Sequence, residues 1–207
     1  ENIMIAANVI HAAHVAKAEK LLFLGSTCIY PKHAAQPMNE DSLLTGPLEP
    51  TNEGYALAKI AGLKLCEKFS QQYGKRFVSV MPTNMYGPND NFHPDHSHVI
   101  PGMMRRFQEA KERGANSVTV WGTGQPRREF LYVDDCAEGL FLAGERYDGA
   151  DPVNLGTGDE IAIRDLAALI GELCGFGSKP ATTFRNSCGR SLTTVSIAPL
   201  PFAIQAS

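Results

Sequence analysis

The chain has 207 residues, 43% of them hydrophobic, with 19 basic and 22 acidic side chains and a formal net charge of −3. This length and composition can support a hydrophobic core, organised as one large domain or as a domain with a smaller lobe. The charges are nearly balanced and form no long run of one sign, which excludes an extended basic surface for nucleic acid or for an anionic membrane.

The five cysteines indicate a reducing environment. They are odd in number and widely spaced, and they form neither a disulfide framework nor a C-x-x-C pair typical of zinc sites. No apolar run approaches the roughly 20 residues of a membrane helix, and the N-terminus has no signal-peptide pattern. We therefore expect free thiols, a cytoplasmic location, and neither a membrane nor a metal partner.

The first elements predict part of an α/β sheet. Residues 1–15 have apolar side chains at helical spacing but no N-cap before them, so the chain is expected to begin in the middle of a fold. Residues 20–26 (KLLFLGS) are typical of a buried parallel strand whose carboxyl end opens onto a site. The loop expected at residues 31–52 is long enough to indicate a functional role.

A long helix and a second strand follow. Residues 52–73 carry an apolar stripe at helical spacing, and Gly74 stands where a C-terminal cap belongs. Residues 76–81 (RFVSVM) predict a buried strand, closed by the turn-rich segment PTNMYGPND. Strand, helix and strand in this order predict the fold class: α/β, a partial Rossmann-type doubly wound parallel sheet with a smaller α/β lobe.

Shorter elements are predicted after Pro94, in a lobe interleaved with the sheet domain. They are a helix near 97–114, strands at 118–121 and 129–133, a helix to about 147, a strand at 152–155 and a helix at 163–176.

Tyr55 and Lys59 carry the clearest chemical signal. Positions four apart on a helix lie on the same face, and an ammonium beside a phenol is expected to lower the pKa of the phenol towards neutrality. The pair alone is a weak signal, because Y-x-x-x-K occurs by chance on many exposed helices. Ser26, at the end of the upstream strand, supplies a hydroxyl that could bind the same carbonyl oxygen as Tyr55.

The order of these segments resembles the extended short-chain dehydrogenase/reductase family. It consists of a strand ending in Ser, a long loop, a Tyr-x-x-x-Lys helix, a strand, and then Pro-Thr-Asn-Met-Tyr-Gly-Pro. The resemblance implies that Ser26 and Tyr55 bind and protonate a substrate carbonyl, while Lys59 also holds the nicotinamide ribose.

Within that family, four separated segments are similar to the GDP-L-fucose synthases. They are residues 25–31 (GSTCIYP), 50–53 (PTNE), 91–94 (NFHP) and 97–101 (SHVIP), and the resemblance extends from residue 1 to about residue 184. It implies epimerisation of GDP-4-keto-6-deoxy-D-mannose at carbons 3 and 5, then reduction of the 4-ketone with NADPH, to give GDP-L-fucose. It also implies that the protein binds a small nucleotide-sugar substrate and that it forms a homodimer.

The same resemblance assigns roles to single residues. Cys28 is the expected base and His98 the expected acid, with Ser26 and Tyr55 stabilising the enolate oxygen. Without the resemblance, a small buried apolar cysteine and a surface histidine would be the simpler interpretations. The implied cofactor contacts are Lys59, Pro82, Thr83, Asn84, Met85 and His98, and the implied substrate contacts are Arg106, Trp121 and Arg128.

Arginine suits a diphosphate because its planar guanidinium makes two parallel charge-assisted hydrogen bonds. Each of these arginines has an arginine neighbour, Arg105 or Arg127, which we expect to be solvated. The sequence does not decide which member of each pair points inward.

Two departures from the family pattern shape the expected domains. No Gly-rich loop joins a first strand to a helix, so residues 1–93 are predicted as the C-terminal part of an NADP-binding Rossmann domain whose loop precedes Glu1. Residues 94–184 are predicted as mainly the substrate-binding lobe. Residues 185–207 depart from the family pattern and are described as an atypical tail.

Two alternatives remain open. One is another nucleotide-sugar epimerase or dehydratase of the same superfamily, although a dehydratase would have an acidic pair where Cys28 and Ile29 stand. The other is a non-catalytic nucleotide-sugar binding module, against which the intact set of polar site residues argues.

Overall fold

The computed structural model describes residues 1–176, 181–185 and 191–196, the last two ranges as backbone only. Residue contacts divide the chain into two units. The first unit comprises Glu1–Gly87 and Glu129–Asp159, and the second comprises Pro88–Arg128 and Glu160–Ser207. The chain therefore leaves the first unit, returns to it and leaves it again.

Helices and strands alternate along most of the chain. The helices are α1 (Asn2–Val15), α2 (Glu53–Tyr73), α3 (Val99–Glu112), α4 (Val133–Arg146) and α5 (Ile163–Leu173). The strands are β1 (Lys20–Leu24), β2 (Arg76–Pro82), β3 (Asn84–Tyr86), β4 (Ser117–Trp121), β5 (Arg127–Tyr132), β6 (Val153–Leu155), β7 (Glu160–Ala162), β8 (Ala181–Arg185) and β9 (Ser191–Ser196).

A parallel sheet organises the first unit. Its strand order is β1, β2, β6, and both pairings are parallel. Leu24 is paired with Val80, and Val80 with Val153, so the carboxyl ends of the three strands lie at one edge. The predicted α/β class with a parallel sheet is confirmed.

Helix α2 packs on this sheet through its small and apolar side chains. Its buried residues are Ala56, Ala58, Ile60, Gly62, Leu63 and Cys66. Gly74 ends the helix in the left-handed conformation, at φ 62°, where a β-carbon would be strained, and its N–H donates to the Ser70 carbonyl at 3.0 Å. The predicted helix and its glycine cap are confirmed.

The core of the first unit lies on both sides of α2. One buried cluster consists of Ile29, Tyr30, Ile60, Leu63 and Met81. A second consists of Ile10, Cys66 and Phe77, and thus joins α1, α2 and β2. Phe23 of β1 packs against both clusters.

The second unit is built from α3, α5 and a separate sheet. Strand β4 pairs in parallel with β8, which pairs antiparallel with β9. Phe107 of α3 is fully buried, and its ring lies edge-on to that of Phe176, with 5.5 Å between the ring centroids. Across the described residues, no helix is both long and apolar enough to cross a membrane.

Several local predictions need correction. The segment after β2 was predicted to be turns throughout, but Asn84–Tyr86 forms the short strand β3, paired in parallel with Phe130–Tyr132 of β5. Its pairing partner lies more than forty positions away, so no local pattern could reveal it. Strand β7 was also missed, and α5 stops at Leu173 because Gly175 turns the chain at φ 65°.

The predicted segment 94–184 includes residues that pack elsewhere. Residues 129–159 provide α4 and β6 to the first unit, because β6 completes the parallel sheet beside β2. The functions given to the predicted domains remain predictions. Of the predicted atypical tail, the structure describes Arg185 at the end of β8 and the strand β9, and the remainder lies outside the described residues.

The close approach of α2 to β1 gives a test of the packing. A β-carbon at Gly62 would lie 2.9 Å from Cε2 of Phe23 and closer still to its Cζ, whereas one at Gly54 of the same helix would meet nothing within 4 Å. Gly62→Ala should therefore lower the free energy of unfolding by about 1–3 kcal/mol. Gly54→Ala should leave it unchanged or raise it by up to about 1 kcal/mol. Urea denaturation compares the two variants, and equal effects would contradict this packing.

Candidate functional site

A tight turn at the carboxyl end of β1 carries Ser26 and Cys28. The Gly25 N–H donates to the Val80 carbonyl at 2.8 Å, which continues the β1–β2 ladder up to the turn. Ser26 then caps a single turn of 3-10 helix, Thr27–Ile29, with its Oγ accepting from the Cys28 N–H at 3.2 Å. Two predicted site residues thus lie in one short turn at the sheet edge.

Helix α2 brings Tyr55 and Lys59 to the same place. The Lys59 ammonium donates to the Leu24 carbonyl at 2.7 Å and lies 5.7 Å from the centre of the Tyr55 ring. Tyr55 is 36% exposed, so its phenol can be reached from solvent. The structure therefore groups Ser26, Cys28, Tyr55 and Lys59 within the first unit.

The electrostatics of this group differ from the prediction for Tyr55. Burial raises the pKa of the Tyr55 phenol, the Ser26 hydroxyl beside it offsets part of that rise, and the Cys28 thiol adds to it. The expected lowering of this pKa by Lys59 is wrong, because the ammonium is directed to the Leu24 carbonyl. Burial in turn lowers the pKa of Lys59. Tyr55 is consequently protonated at neutral pH and can donate a hydrogen bond.

The Cys28 thiol is exposed, in contrast to Cys66 and Cys136, which are buried. A cysteine kept for its small apolar volume would be expected among the buried ones. Its position in the turn after Ser26 puts it next to the phenol of Tyr55, whose pKa it influences. The simpler interpretation of Cys28 as a packing residue does not fit this exposure.

The predicted cofactor segment after β2 divides into buried and exposed halves. Pro82 and Thr83 are buried, and the Thr83 hydroxyl donates to the Glu129 carbonyl at 3.2 Å. Asn84 and Met85 are exposed, although the Asn84 amide also donates to the Glu129 carbonyl, at 3.0 Å. Asn84 and Met85 thus present exposed side chains, and Lys59 lies at the carboxyl edge of the same sheet.

His98 lies in the second unit, directly before α3. Its side chain is 80% exposed, and its Nδ1 is 3.6 Å from Oδ1 of Asp90. Asp90 is itself mostly covered. The imidazole of His98 is thus open to solvent and has one carboxylate near it.

The structure distinguishes the members of each arginine pair. Arg105 bonds to the Glu109 carboxylate and donates to the Phe92 carbonyl at 3.0 Å. Arg106, in contrast, forms no salt bridge with any residue in the described part of the chain, and it lines two adjoining clefts of the second unit. The Arg105 guanidinium is therefore held within the unit, although about a third of its side chain remains exposed to solvent.

The second pair behaves in the same way. Arg127 donates to the Glu160 carbonyl at 2.6 Å and lies 3.5 Å from its carboxylate, whereas Arg128 contacts only the carbonyl of Arg127, at 2.7 Å, among the bonds of the described residues. Arg127 is thus paired within the unit, and its side chain is also exposed to solvent, as predicted. Trp121, at the end of β4, is 61% exposed, which leaves its ring available for contacts.

Sequence reasoning missed a polar network beside the Ser26–Cys28 turn. The Tyr30 hydroxyl donates to Oδ1 of Asn154 at 2.6 Å, and the Asn154 N–H donates to the Glu40 carboxylate at 2.7 Å. Tyr30 and Asn154 are 124 positions apart, so no spacing rule connects them. A polar residue inside the short apolar strand β6 was the one available signal.

Comparison with known proteins supports a family assignment. Residues 1–156 match the model of the NAD dependent epimerase/dehydratase family. GDP-L-fucose synthase 1 of Arabidopsis thaliana is 57% identical over 178 residues, which cover 86% of this chain and 55% of that protein. GDP-L-fucose synthase of Escherichia coli K12 is 55% identical over 185 residues, covering 85% of this chain and 58% of that protein.

A solved structure agrees with these relatives. A GDP-L-fucose synthetase from Naegleria fowleri, bound to NADP, superposes with a TM-score of 0.81 at 31% identity, over 89% of this chain and 59% of that one. The chain thus spans little more than half the length of the relatives it matches. On the family match and the parallel sheet together, the chain belongs to the NAD dependent epimerase/dehydratase family.

Proposed function

We propose that the whole protein converts GDP-4-keto-6-deoxy-D-mannose to GDP-L-fucose, epimerising carbons 3 and 5 and then reducing the 4-ketone with NADPH. The observation that carries this proposal is the grouping of Ser26, Cys28, Tyr55 and Lys59 at the carboxyl edge of the parallel sheet. The identity of 57% to a curated GDP-L-fucose synthase supports the choice of substrate. A cytoplasmic location, expected from the cysteine pattern, belongs to the same proposal.

The epimerisation half needs a base and a stabilised oxygen. A proton beside a ketone becomes removable when the developing enolate oxygen receives hydrogen bonds, which we assign to the Ser26 hydroxyl and the Tyr55 phenol. The raised pKa of Tyr55 suits this role, because a protonated phenol donates. Cys28 is the proposed base, since its exposed thiol lies beside these donors.

The second unit contributes the remaining proposed groups. His98 is the proposed acid that returns a proton to the other face of the sugar, held by Asp90. Arg106 and Arg128 are proposed for the diphosphate, because their neighbours Arg105 and Arg127 are already paired with carboxylates. Trp121 is proposed as a contact for the nucleotide sugar on account of its exposure.

The reduction half depends on residues of the first unit. NADPH, when bound, supplies the hydride that the 4-ketone receives. Tyr55 then gives its proton to the resulting alkoxide, and the Lys59 ammonium, with its lowered pKa and its anchor on Leu24, holds the ribose. The exposed Asn84 and Met85 are proposed to line the nicotinamide end of the cofactor site. The buried Pro82 and Thr83 are proposed to support that segment from within the unit. The cofactor role of His98 rests on the resemblance alone.

We also propose that the protein is a homodimer joined through α1. This helix buries Ala6 and Ile10 but leaves Ile3, Met4, Ile5, Val9 and Val15 between 48% and 64% exposed. A contiguous apolar patch of this kind usually marks an interface.

Removing the phenol tests the proton donor. In the whole protein, Tyr55→Phe should leave binding of the nucleotide sugar largely intact and slow NADPH-dependent reduction by about 10²–10⁴-fold, the usual effect of removing a positioned general acid. Single-turnover absorbance of NADPH measures the rate, and calorimetry measures binding. Turnover close to that of the wild type would rule out the role of Tyr55.

Removing the thiol should separate the two halves of the reaction. Cys28→Ala should lose solvent-deuterium exchange into carbons 3 and 5 while keeping measurable reduction, because hydride delivery needs Tyr55 and Ser26 but no carbon base. The product would then be an unepimerised 6-deoxy sugar nucleotide. Mass spectrometry in deuterated water, beside NADPH oxidation, measures both halves. Normal deuterium exchange in Cys28→Ala would show that Cys28 is not the base, and the simpler interpretation as a packing residue would then stand.

His98→Ala is the matched variant for the opposite face. A base without its partner acid can still remove a proton and return it to the same face, so exchange should persist while inversion fails. The same deuterium experiment with analysis of the product sugar distinguishes the two variants. Loss of exchange in His98→Ala equal to that in Cys28→Ala would contradict separate roles.

Charged side chains on α1 test the dimer. Ile5 and Val9 lie four apart on one exposed face, 59% and 51% exposed, so Ile5→Glu/Val9→Glu should dissociate the dimer. Leu173→Glu, on an equally exposed leucine of α5, is the control and should leave the mass unchanged. Analytical ultracentrifugation reads the mass, and an unaltered dimer in the α1 variant would place the interface elsewhere.

A further inference from the structure

The turn that carries Cys28 has a shorter backbone hydrogen bond before its start than within the turn itself. Its start is part of the sheet ladder, through the 2.8 Å bond from the Gly25 N–H to the Val80 carbonyl. The turn itself is closed by two longer bonds of 3.3 Å, from Ile29 to Ser26 and from Tyr30 to Thr27. Such long 3-10 bonds give little restraint, so the far end of the turn needs another anchor.

Tyr30 is that anchor. It follows the turn directly, its ring is buried with Ile60 and Met81, and it is only 4% exposed. Its hydroxyl crosses to β6 and donates to Oδ1 of Asn154 at 2.6 Å. Burial raises the pKa of this phenol to about 12, so it remains a donor across the physiological range.

Asn154 is in turn held by two further hydrogen bonds. Its backbone N–H donates to the Glu40 carboxylate at 2.7 Å, and its side-chain amide donates to the Met38 carbonyl at 3.3 Å. Its strand is in register with β2, Asn154 opposite Met81, and so belongs to the rigid sheet. A side chain that is hydrogen-bonded through both its oxygen and its nitrogen, on a strand paired within the sheet, is a firm point of attachment.

We propose that Tyr30 and Asn154 are positioning residues, whose hydrogen bond fixes the far end of the Thr27–Ile29 turn and thereby holds the Cys28 thiol in place for proton abstraction. This inference rests on the proposed function for its chemistry, and on the hydrogen bonds alone for its mechanics. Ser26 directly follows Gly25, which is bonded in the sheet ladder, so loss of the anchor affects Cys28 more than Ser26. Epimerisation is therefore more sensitive to the anchor than reduction is.

Two variants break the bond from either side, and a third is a matched control. Tyr30→Phe removes the hydroxyl and keeps the buried ring, and Asn154→Ala removes the acceptor. Tyr147→Phe deletes another tyrosine hydroxyl of the same unit, which donates to the Asp151 carbonyl at 2.8 Å and not to Asn154. Tyr30→Phe should lower the Tm by about 2–6 °C, and Tyr147→Phe by less, because the Tyr147 bond is exposed.

Kinetics and amide exchange then separate positioning from stability. In the whole protein, Tyr30→Phe and Asn154→Ala should each lower the ratio of deuterium exchange at carbons 3 and 5 to ketone reduction by about 10-fold, with no additive effect in the double variant. Tyr147→Phe should leave that ratio unchanged. Without substrate, hydrogen exchange followed by mass spectrometry should show amides 27–30 exchanging about 10-fold faster in Tyr30→Phe and in Asn154→Ala, but not in Tyr147→Phe.

The outcomes distinguish this inference from the proposed function. If the wild-type protein neither exchanges nor reduces the 4-keto sugar, the proposed function fails, and amide exchange at residues 27–30 still decides whether the anchor exists. If the wild type does both, an equal ratio in Tyr30→Phe and Tyr147→Phe overturns the positioning role. Unchanged amide exchange in Tyr30→Phe overturns the anchor itself.

Discussion

The close packing of α2 on β1 is the contact on which the first unit depends. Gly62 lets the helix approach the Phe23 ring, and the same approach brings Lys59 within 2.7 Å of the Leu24 carbonyl. A larger residue at position 62 would move the helix outward and carry Tyr55 and Lys59 away from the turn at Ser26. The geometry of the candidate site therefore follows from one glycine in the helix and one aromatic ring in the strand.

The parallel register decides which polar groups meet at the sheet edge. Because β1, β2 and β6 end at the same side, the Ser26–Cys28 turn, the Pro82–Met85 segment and Asn154 lie near one another although they are far apart in the chain. Most polar side chains there already form hydrogen bonds within the unit. Thr83 and Asn84 donate to the Glu129 carbonyl, and Tyr30 donates to the Asn154 side chain. What remains exposed, chiefly Cys28, Tyr55 and Met85, is the surface that the proposed chemistry uses.

In the second unit, acidic side chains form ion pairs with only one member of each pair of adjacent arginines. Glu109 lies one helical turn after Arg105, and Glu160 reaches Arg127, so one guanidinium of each pair is bound to a carboxylate of the unit. An ion pair of this exposure adds little stability by itself. Its consequence is instead the difference within each pair, since Arg106 and Arg128 have no carboxylate partner in the described residues. This difference is the reason that these two arginines are the ones proposed for the diphosphate.

The sequence alone determined the alternation of strands and helices and the long helix with its glycine cap, because apolar periodicity and capping are local properties. Helical spacing paired Tyr55 with Lys59, whereas Ser26 and Cys28 joined them as expected site residues through the resemblance to a known family. Only the tertiary structure decided the pairing of β3 with β5, the paired state of Arg105 and Arg127, and the bond between Tyr30 and Asn154. It also reversed the expected shift in the pKa of Tyr55, because burial of the phenol outweighs an ammonium that is turned towards the Leu24 carbonyl. Hydrogen-bond partners, burial and charge pairing depend on which distant segments meet, and a linear pattern of residues carries no record of that.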